Sequence, residues 1–178
     1  QGDSFGVLFI DLDRFKPIND AFGHDAGNVV LRGFAQRLQV LVQEKGVAGR
    51  LGGDEFAILT KPNQKMPDLR SLAEQVLVAA RSPFSFGEHQ LTVSASVGVS
   101  IFPENGWTSA ELVRSADTAM YKSKKNGRNV LSFVSDDSCE ILAQELEEKK
   151  RIVVETQRFV AIIPFYARYP YEVHVYSK

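Results

Sequence analysis

The chain is nearly without cysteine: Cys139 is alone among 178 residues. One thiol can build neither an internal disulfide framework nor a thiolate metal site, which fits a reducing, cytoplasmic setting. No apolar run approaches the roughly 18 residues of a membrane span, and no charged-then-apolar leader opens the chain. Net charge is also scarce, since 21 Lys and Arg against 22 Asp and Glu leave −1. That is too little for general nucleic-acid binding. Internal repeats and low-complexity tracts are missing as well. What is left is enough chain for a proper core, read as one domain over residues 1–136 with an appendage at 137–178.

The most informative stretch is Arg50-Leu51-Gly52-Gly53-Asp54-Glu55-Phe56. Apolar runs at 47–51 and 56–60 flank it, and two such runs joined by a few Gly-containing residues predict a β-hairpin. Its tip carries two adjacent carboxylates, which repel unless a cation or ligand neutralises them. A solvated acidic turn would have the same composition. A second acidic strand end, Asp11-Leu12-Asp13, closes the apolar run 7–10. Two strand ends bearing carboxylates can converge on a divalent metal.

Residues 5–12 predict a buried strand. A short helix follows, stopped at Gly23, with Lys16 in its first turn; backbone N–H groups at such a helix start can hold phosphate. A long helix runs to about residue 44 with Val30, Phe34, Leu38, Leu41 and Val42 inward. After the hairpin and a loop at 61–67, Leu69, Leu72, Ala73, Val76, Leu77 and Ala80 mark another helix. Residues 91–101 alternate between large apolar residues and a small, polar set (Thr92, Ser94, Ser96, Gly98, Ser100), which predicts a strand. Thr108-Ser109-Ala110-Glu111 reads as a capping box, opening a helix that ends in Lys122, Lys124 and Lys125 and is closed by Gly127. Residues 129–133 predict a last strand. The order β-α-α-β-β-α-β-α-β predicts an α+β fold, a ferredoxin-like or palm-type antiparallel sheet with its helices on one face. The composition then shifts: a charged helix through about 150 and strands at 152–155, 159–163 and 171–176 form the appendage.

Five blocks carry a resemblance to a known family. They are Phe9-Ile10-Asp11-Leu12-Asp13-Arg14-Phe15-Lys16-Pro17-Ile18-Asn19-Asp20; Phe22-Gly23-His24-Asp25-Ala26-Gly27-Asn28; the Gly-Gly-Asp-Glu-Phe hairpin; Val93-Ser94-Ala95-Ser96-Val97-Gly98-Val99; and Ala116-Asp117-Thr118-Ala119-Met120-Tyr121 with Lys124 and Gly127-Arg128-Asn129. In this order and spacing, residues 5–133 resemble the diguanylate cyclase, or GGDEF, family of bacterial signalling enzymes. The resemblance implies a GGDEF fold and condensation of two GTP into cyclic di-GMP. It implies Mg²⁺ (or Mn²⁺) held by Asp11, Asp54, Glu55 and the Leu12 carbonyl, with Asp54, Glu55 and Lys16 carrying the chemistry. GTP would be met by Phe15, Lys16, Lys124 and Arg128 around its phosphates, by Asn19, His24 and Asn28 around guanine, and by Gly52 and Gly53 of the hairpin. Each domain would hold one GTP, so a second GGDEF domain is the expected partner.

The chain departs from the family in three places. Asn28 stands where the family carries Asp, and an amide offers one acceptor oxygen to guanine's paired N1–H and N2–H₂ donors. Gln43-Glu44-Lys45-Gly46 stands where the family's inhibitory site has Arg-x-x-Asp, which implies no feedback by product there. The family's lead-in segment should precede Phe5. An alternative within the family is a module that holds GTP or a partner domain and turns over little. Residues 138–178, including Phe159-Val160-Ala161-Ile162-Ile163-Pro164-Phe165-Tyr166, resemble instead an internal piece of galactose-1-phosphate uridylyltransferase. They lack its His-Pro-His motif, since His174 stands between valines. That mixture implies a chimeric or engineered chain.

Overall fold

In the computed structural model, residues 4–134, 152–155, 159–162 and 174–177 are described. The chain divides into two compact units, residues 1–134 and 135–178.

The first unit is built on a five-stranded sheet in the order β2-β3-β1-β6-β7. Its strands are β1 (Phe5–Asp13), β2 (Gly46–Gly52), β3 (Glu55–Thr60), β6 (Ser94–Phe102) and β7 (Leu131–Phe133). β1 lies at the centre, antiparallel to β3 on one side and to β6 on the other. Only the β6–β7 pair is parallel, so the expected antiparallel sheet holds except at that edge. The parallel pair follows from α4 (Ser109–Lys125), the crossover that returns the chain to run alongside β6.

The helices are α1 (Phe15–Phe22), α2 (His24–Val42), α3 (Met66–Arg81) and α4. Gly23 closes α1 with φ 82° and donates its N–H to the Asn19 carbonyl at 2.9 Å. α2 stops at Val42, and a 3₁₀ turn over Gln43–Lys45 takes up the rest of the expected helix. The capping box at α4 forms as expected: Glu111 N–H donates to Thr108 Oγ1 at 3.2 Å, and Thr108 N–H donates to Glu111 Oε2 at 3.0 Å. The Trp107 and Thr108 backbone N–H groups hold the Glu111 carboxyl below its ordinary range.

The helices do not share one face of the sheet. Leu8, Ile10, Leu12, Phe56, Ile58, Val97 and Val99 point to the side covered by α2 and α3. Val7 and Phe9 point the other way and pack on Leu112, Ala116 and Met120 of α4. Helical periodicity says which stripe of a helix is buried, but not which face of the sheet it meets.

A short hairpin, β4 (Phe84–Phe86) with β5 (His89–Leu91), falls where a longer strand was expected to begin. Gly87 at φ 57° makes its two-residue turn. Leu91 therefore belongs to the hairpin, and the long strand starts at Ser94. Residue 129 likewise precedes β7 rather than opening it.

In the second unit, β8 (Ile152–Glu155), β9 (Phe159–Ile162) and β10 (His174–Ser177) form an antiparallel sheet in the order β10-β9-β8. β10 starts later than the strand expected at 171–176. The helix expected through residue 150 lies outside the described residues.

Candidate active site at the acidic strand end

The two acidic strand ends meet because β1 and β3 are neighbours. Asp11 pairs with Glu55 across the ladder, and Leu12 N–H donates to the Asp54 carbonyl at 3.1 Å. The hairpin tip is thereby tied to the end of the central strand. Within the tip, a register shift falls between Arg50 and Gly52, and Gly53 takes φ 50°, a conformation that favours glycine. Arg50 closes the turn by donating Nε–H and an Nη2–H to the Gly53 carbonyl, at 2.9 and 2.6 Å. Arg50 thus serves the shape of the loop. A β-carbon on Gly52 or Gly53 would meet nothing within 4 Å, so this backbone is open to approach.

Asp11 is buried, at 7% exposure. Its Oδ2 lies 2.7 Å from Lys124 Nζ, which reaches across from α4. Burial is the largest influence on the Asp11 carboxyl and pushes its pKa up. Lys124 opposes that by hydrogen bond and charge, and the negative charges of Asp54 and Asp13 reinforce it. Among the described residues no three His, Cys, Asp or Glu side chains converge as a metal cluster. The potential donors are the Asp11 and Asp54 carboxylates and the Leu12 carbonyl, all hard oxygens suited to a divalent cation that keeps waters of its own. A buried carboxylate with two acidic neighbours and one ammonium group is short of positive charge, so the residues present fit such an ion.

The remaining expected site residues fall in three places. Lys16 is exposed in the first turn of α1, which starts directly beyond β1. Arg14 caps that helix without a side-chain hydrogen bond, so the first-turn N–H groups have no capping side chain. The Phe15 side chain lies in the core, so any contact of this residue with phosphate falls to its backbone. Asn19, His24 and Asn28 share the α1–α2 junction. A β-carbon on Gly27 would collide with Asn19 Oδ1 and the Phe15 ring, so Asn19 lies directly over the start of α2. His24 and Asn28 are both exposed there, one turn apart. Arg128 is exposed beyond the end of α4, in a corner with φ 63°.

Asp13 behaves differently from Asp11. It accepts hydrogen bonds from Ser94 Oγ–H at 2.7 Å, Ser96 Oγ–H at 2.7 Å and Asn129 N–H at 3.1 Å. The second carboxylate of the acidic strand end is therefore spent on structure. The signal available in the sequence was the small, polar face of the 91–101 stretch, whose serines supply two of those donors.

A palm-type α+β domain with an acidic central strand end, a helix start without a capping side chain and a lysine reaching across from α4 defines the class of fold. The family can be stated directly. A family model described as "Diguanylate cyclase, GGDEF domain" matches residues 1–130, and the chain belongs to the GGDEF family. It is 40% identical over 141 residues to the bifunctional diguanylate cyclase/cyclic di-GMP phosphodiesterase MucR of Pseudomonas aeruginosa, covering 79% of this chain and 20% of MucR. The crystal structure of the GGDEF domain of TpbB from the same organism superimposes with a TM-score of 0.71 at 36% identity, covering 74% of this chain and 82% of that one. The cyclic di-GMP phosphodiesterase NbdA, also from P. aeruginosa, is 33% identical over 177 residues, covering 98% of this chain and 22% of NbdA. The chain thus spans about a fifth of the length of MucR and of NbdA. The uridylyltransferase resemblance of residues 138–178, and with it a chimeric origin, finds no support in these comparisons, and the NbdA alignment extends across that segment.

Proposed function

We propose that residues 1–134 are a diguanylate cyclase catalytic domain that joins two GTP into cyclic di-GMP, with release of two pyrophosphates. The observation that carries this reading is the ion pair of buried Asp11 with Lys124 at 2.7 Å, beside a hairpin tip whose Asp54 carbonyl is bonded to the Leu12 N–H. It supports a site in which two carboxylates, a main-chain carbonyl and an ammonium group share one strand end. TpbB, whose GGDEF domain has the same fold, is itself a diguanylate cyclase.

Asp11, Asp54 and the Leu12 carbonyl would hold a divalent metal, Mg²⁺ or Mn²⁺, with Glu55 beside them. Such an ion supplies charge neutralisation at the α-phosphate and acidifies the attacking 3′-hydroxyl. Asp54 accepts that hydroxyl's proton. Lys16 and the first-turn N–H groups of α1, including that of Phe15, bind the phosphates. Lys124 and Arg128 would meet the β- and γ-oxygens. The open backbone of Gly52 and Gly53 lets the nucleotide lie against the hairpin. Asn19, His24 and Asn28 take the guanine edge. Each domain holds one GTP, so a second GGDEF domain presents its nucleotide face to face with the first. This chemistry belongs in the cytoplasm, where GTP is. Among the described residues, no helix is long and apolar enough to cross a membrane.

The test is incubation with GTP and Mg²⁺ over a range of protein concentrations, with cyclic di-GMP quantified and ATP as control. Product whose rate rises faster than linearly with protein is the expected result. GTP binding without product at any concentration would reduce the domain to a nucleotide-holding module. An Asn28→Asp arm asks whether the missing acceptor limits guanine recognition; about tenfold tighter GTP binding per 1.4 kcal/mol recovered is the scale.

A further inference from the structure

Asp13 and Asp11 sit two residues apart on the same face of β1, and both are buried, at 4% and 7% exposure. Their partners differ in kind. Asp11 faces an ammonium group, whereas Asp13 faces three neutral donors, none of them from β1. A carboxylate has about four lone-pair sites, and three of those on Asp13 are taken. It has little left with which to coordinate a cation.

One of the three donors lies in an unusual place. Gly127, Arg128 and Asn129 follow one another at φ 104°, 63° and 55°. Two successive non-glycine residues in the left-handed region are sparsely populated and need something to hold them. Three hydrogen bonds do so: Arg128 N–H to the Ser123 carbonyl, Asn129 N–H to Asp13 Oδ2 and Val97 N–H to the Val130 carbonyl, each 3.1 Å. Only the Asp13 bond comes from a side chain. Ser94 and Ser96, at the start of β6, fix the carboxylate that receives it. The direction in which Arg128 leaves the surface is set by this corner.

We propose that Asp13 is a positioning residue: it anchors the Gly127–Asn129 corner and so aims Arg128 at the phosphates of the bound nucleotide, without touching metal or substrate. This inference rests on the nucleotide reading above and adds to it a residue that acts through Arg128. A change at Asp13 should act on triphosphate affinity, and only while Arg128 is present.

The experiment is calorimetric titration with 3′-deoxy-GTP and Mg²⁺, a ligand that lacks the attacking hydroxyl and cannot turn over. It compares the wild type, Asp13→Ala, Asp13→Asn, Arg128→Ala and the Asp13→Ala/Arg128→Ala double variant. Asp13→Ala should weaken binding about tenfold, and the same change in the Arg128→Ala background should add nothing, the signature of coupled residues. At saturating Mg²⁺, Asp13→Asn should stay within about twofold of wild type, because its amide oxygen can accept from Asn129 N–H while its NH₂ donates to Ser96 Oγ. If Asp13→Ala does not fold, Ser94→Ala/Ser96→Ala carries the test, with a smaller loss that again vanishes without Arg128. Equal losses in both backgrounds would overturn the proposal, as would a loss in Asp13→Asn as large as that in Asp13→Ala. Wild type that fails to bind 3′-deoxy-GTP would remove the nucleotide reading and this inference together. Normal binding by wild type and Asp13→Ala alike would remove the inference alone.

Discussion

The two faces of the central sheet are built on different terms. The face toward α2 and α3 is dry: Leu8, Ile10, Ile58, Val97 and Val99 are all at 0% exposure and meet Val30, Phe34, Leu38 and Val76. The face toward α4 is narrow and partly polar. Beyond Val7 and Phe9 it carries Asp11, Asp13, Ser96, Gly98 and Ser100, and serine hydroxyls add to the apolar contact that seats α4. Ser100 Oγ–H donates to the Leu112 carbonyl at 2.8 Å, and Ser123 Oγ–H donates to the Val97 carbonyl at 2.9 Å. The first face makes the domain stable, and the second keeps a buried carboxylate beside Lys124. Stability and chemistry are thus separated by the alternation of a single strand, β1.

If that separation is real, a change on either side should be felt on one side alone. The largest effect belongs to Asp54→Ala. It removes a charge from the site end without touching the dry face, so cyclic di-GMP formation should fall by about 10³-fold or more with the thermal midpoint nearly unchanged. Retained activity would mean that Asp54 is neither ligand nor base.

The counterpart is Phe34→Ala. Phe34 is fully buried, with its ring edge-on to Phe56 at 5.0 Å between centroids. Its loss should destabilise the domain by about 3–5 kcal/mol, read by denaturant unfolding, while GTP turnover per folded molecule stays close to normal at low temperature. A matching fall in turnover would break the comparison.

A smaller and more revealing effect is expected of Asp11→Asn. Burial raises the folded-state pKa of Asp11, so the folded chain keeps a proton that the unfolded chain gives up. Stability therefore falls as pH rises from the ordinary carboxylate range through the raised value, and stays lower above it. A neutral amide escapes this. Without divalent ions, Asp11→Asn should melt higher than wild type near pH 7, and the advantage should shrink toward pH 4, while metal-dependent activity is lost. A lower midpoint at pH 7 would mean that the Lys124 pair outweighs the cost of burial.

The smallest effect should come from the ion pair that belongs to neither face. Lys61 and Glu44 are 3.6 Å apart with the Glu44 side chain 96% exposed. Glu44→Ala should leave both midpoint and activity unresolved from wild type, whereas changes at the Asp11–Lys124 pair should not.

Much of this architecture was legible in the sequence, for reasons tied to particular residues. The alternation around Ser94–Phe102 separated Ala95, Val97, Val99 and Ile101 from the small, polar set, because a strand with two unlike faces has to alternate. The stripe Val30, Phe34, Leu38 and Val42 marked α2 in the same way. The β4–β5 hairpin was missed although Phe84-Ser85-Phe86-Gly87-Glu88-His89 alternates about a glycine turn, because three-residue strands give periodicity little to work on. Of the site, the acidic ends at Asp11 and Asp54 could be read as local motifs. The roles of Lys124 and Arg128 came only through the family resemblance. The difference between Asp11 and Asp13 could not be read at all. It depends on hydroxyls 81 and 83 residues further along the chain, and chemically the two side chains are the same.

The seat of α4 has a mechanical consequence. A β-carbon on Gly98 would run into the Ala116 carbonyl and the Met120 N–H, so the helix backbone rests directly on the strand with no side chain as padding. Lys124 belongs to that rigid rod and Arg128 hangs from its end. A tilt about the Gly98 fulcrum would carry Lys124 along an arc, while the Asn129 N–H bond to Asp13 ties the Arg128 corner to β1. The bare strand at Gly98 thus sets the distance from which the Lys124 stem leaves α4 toward Asp11.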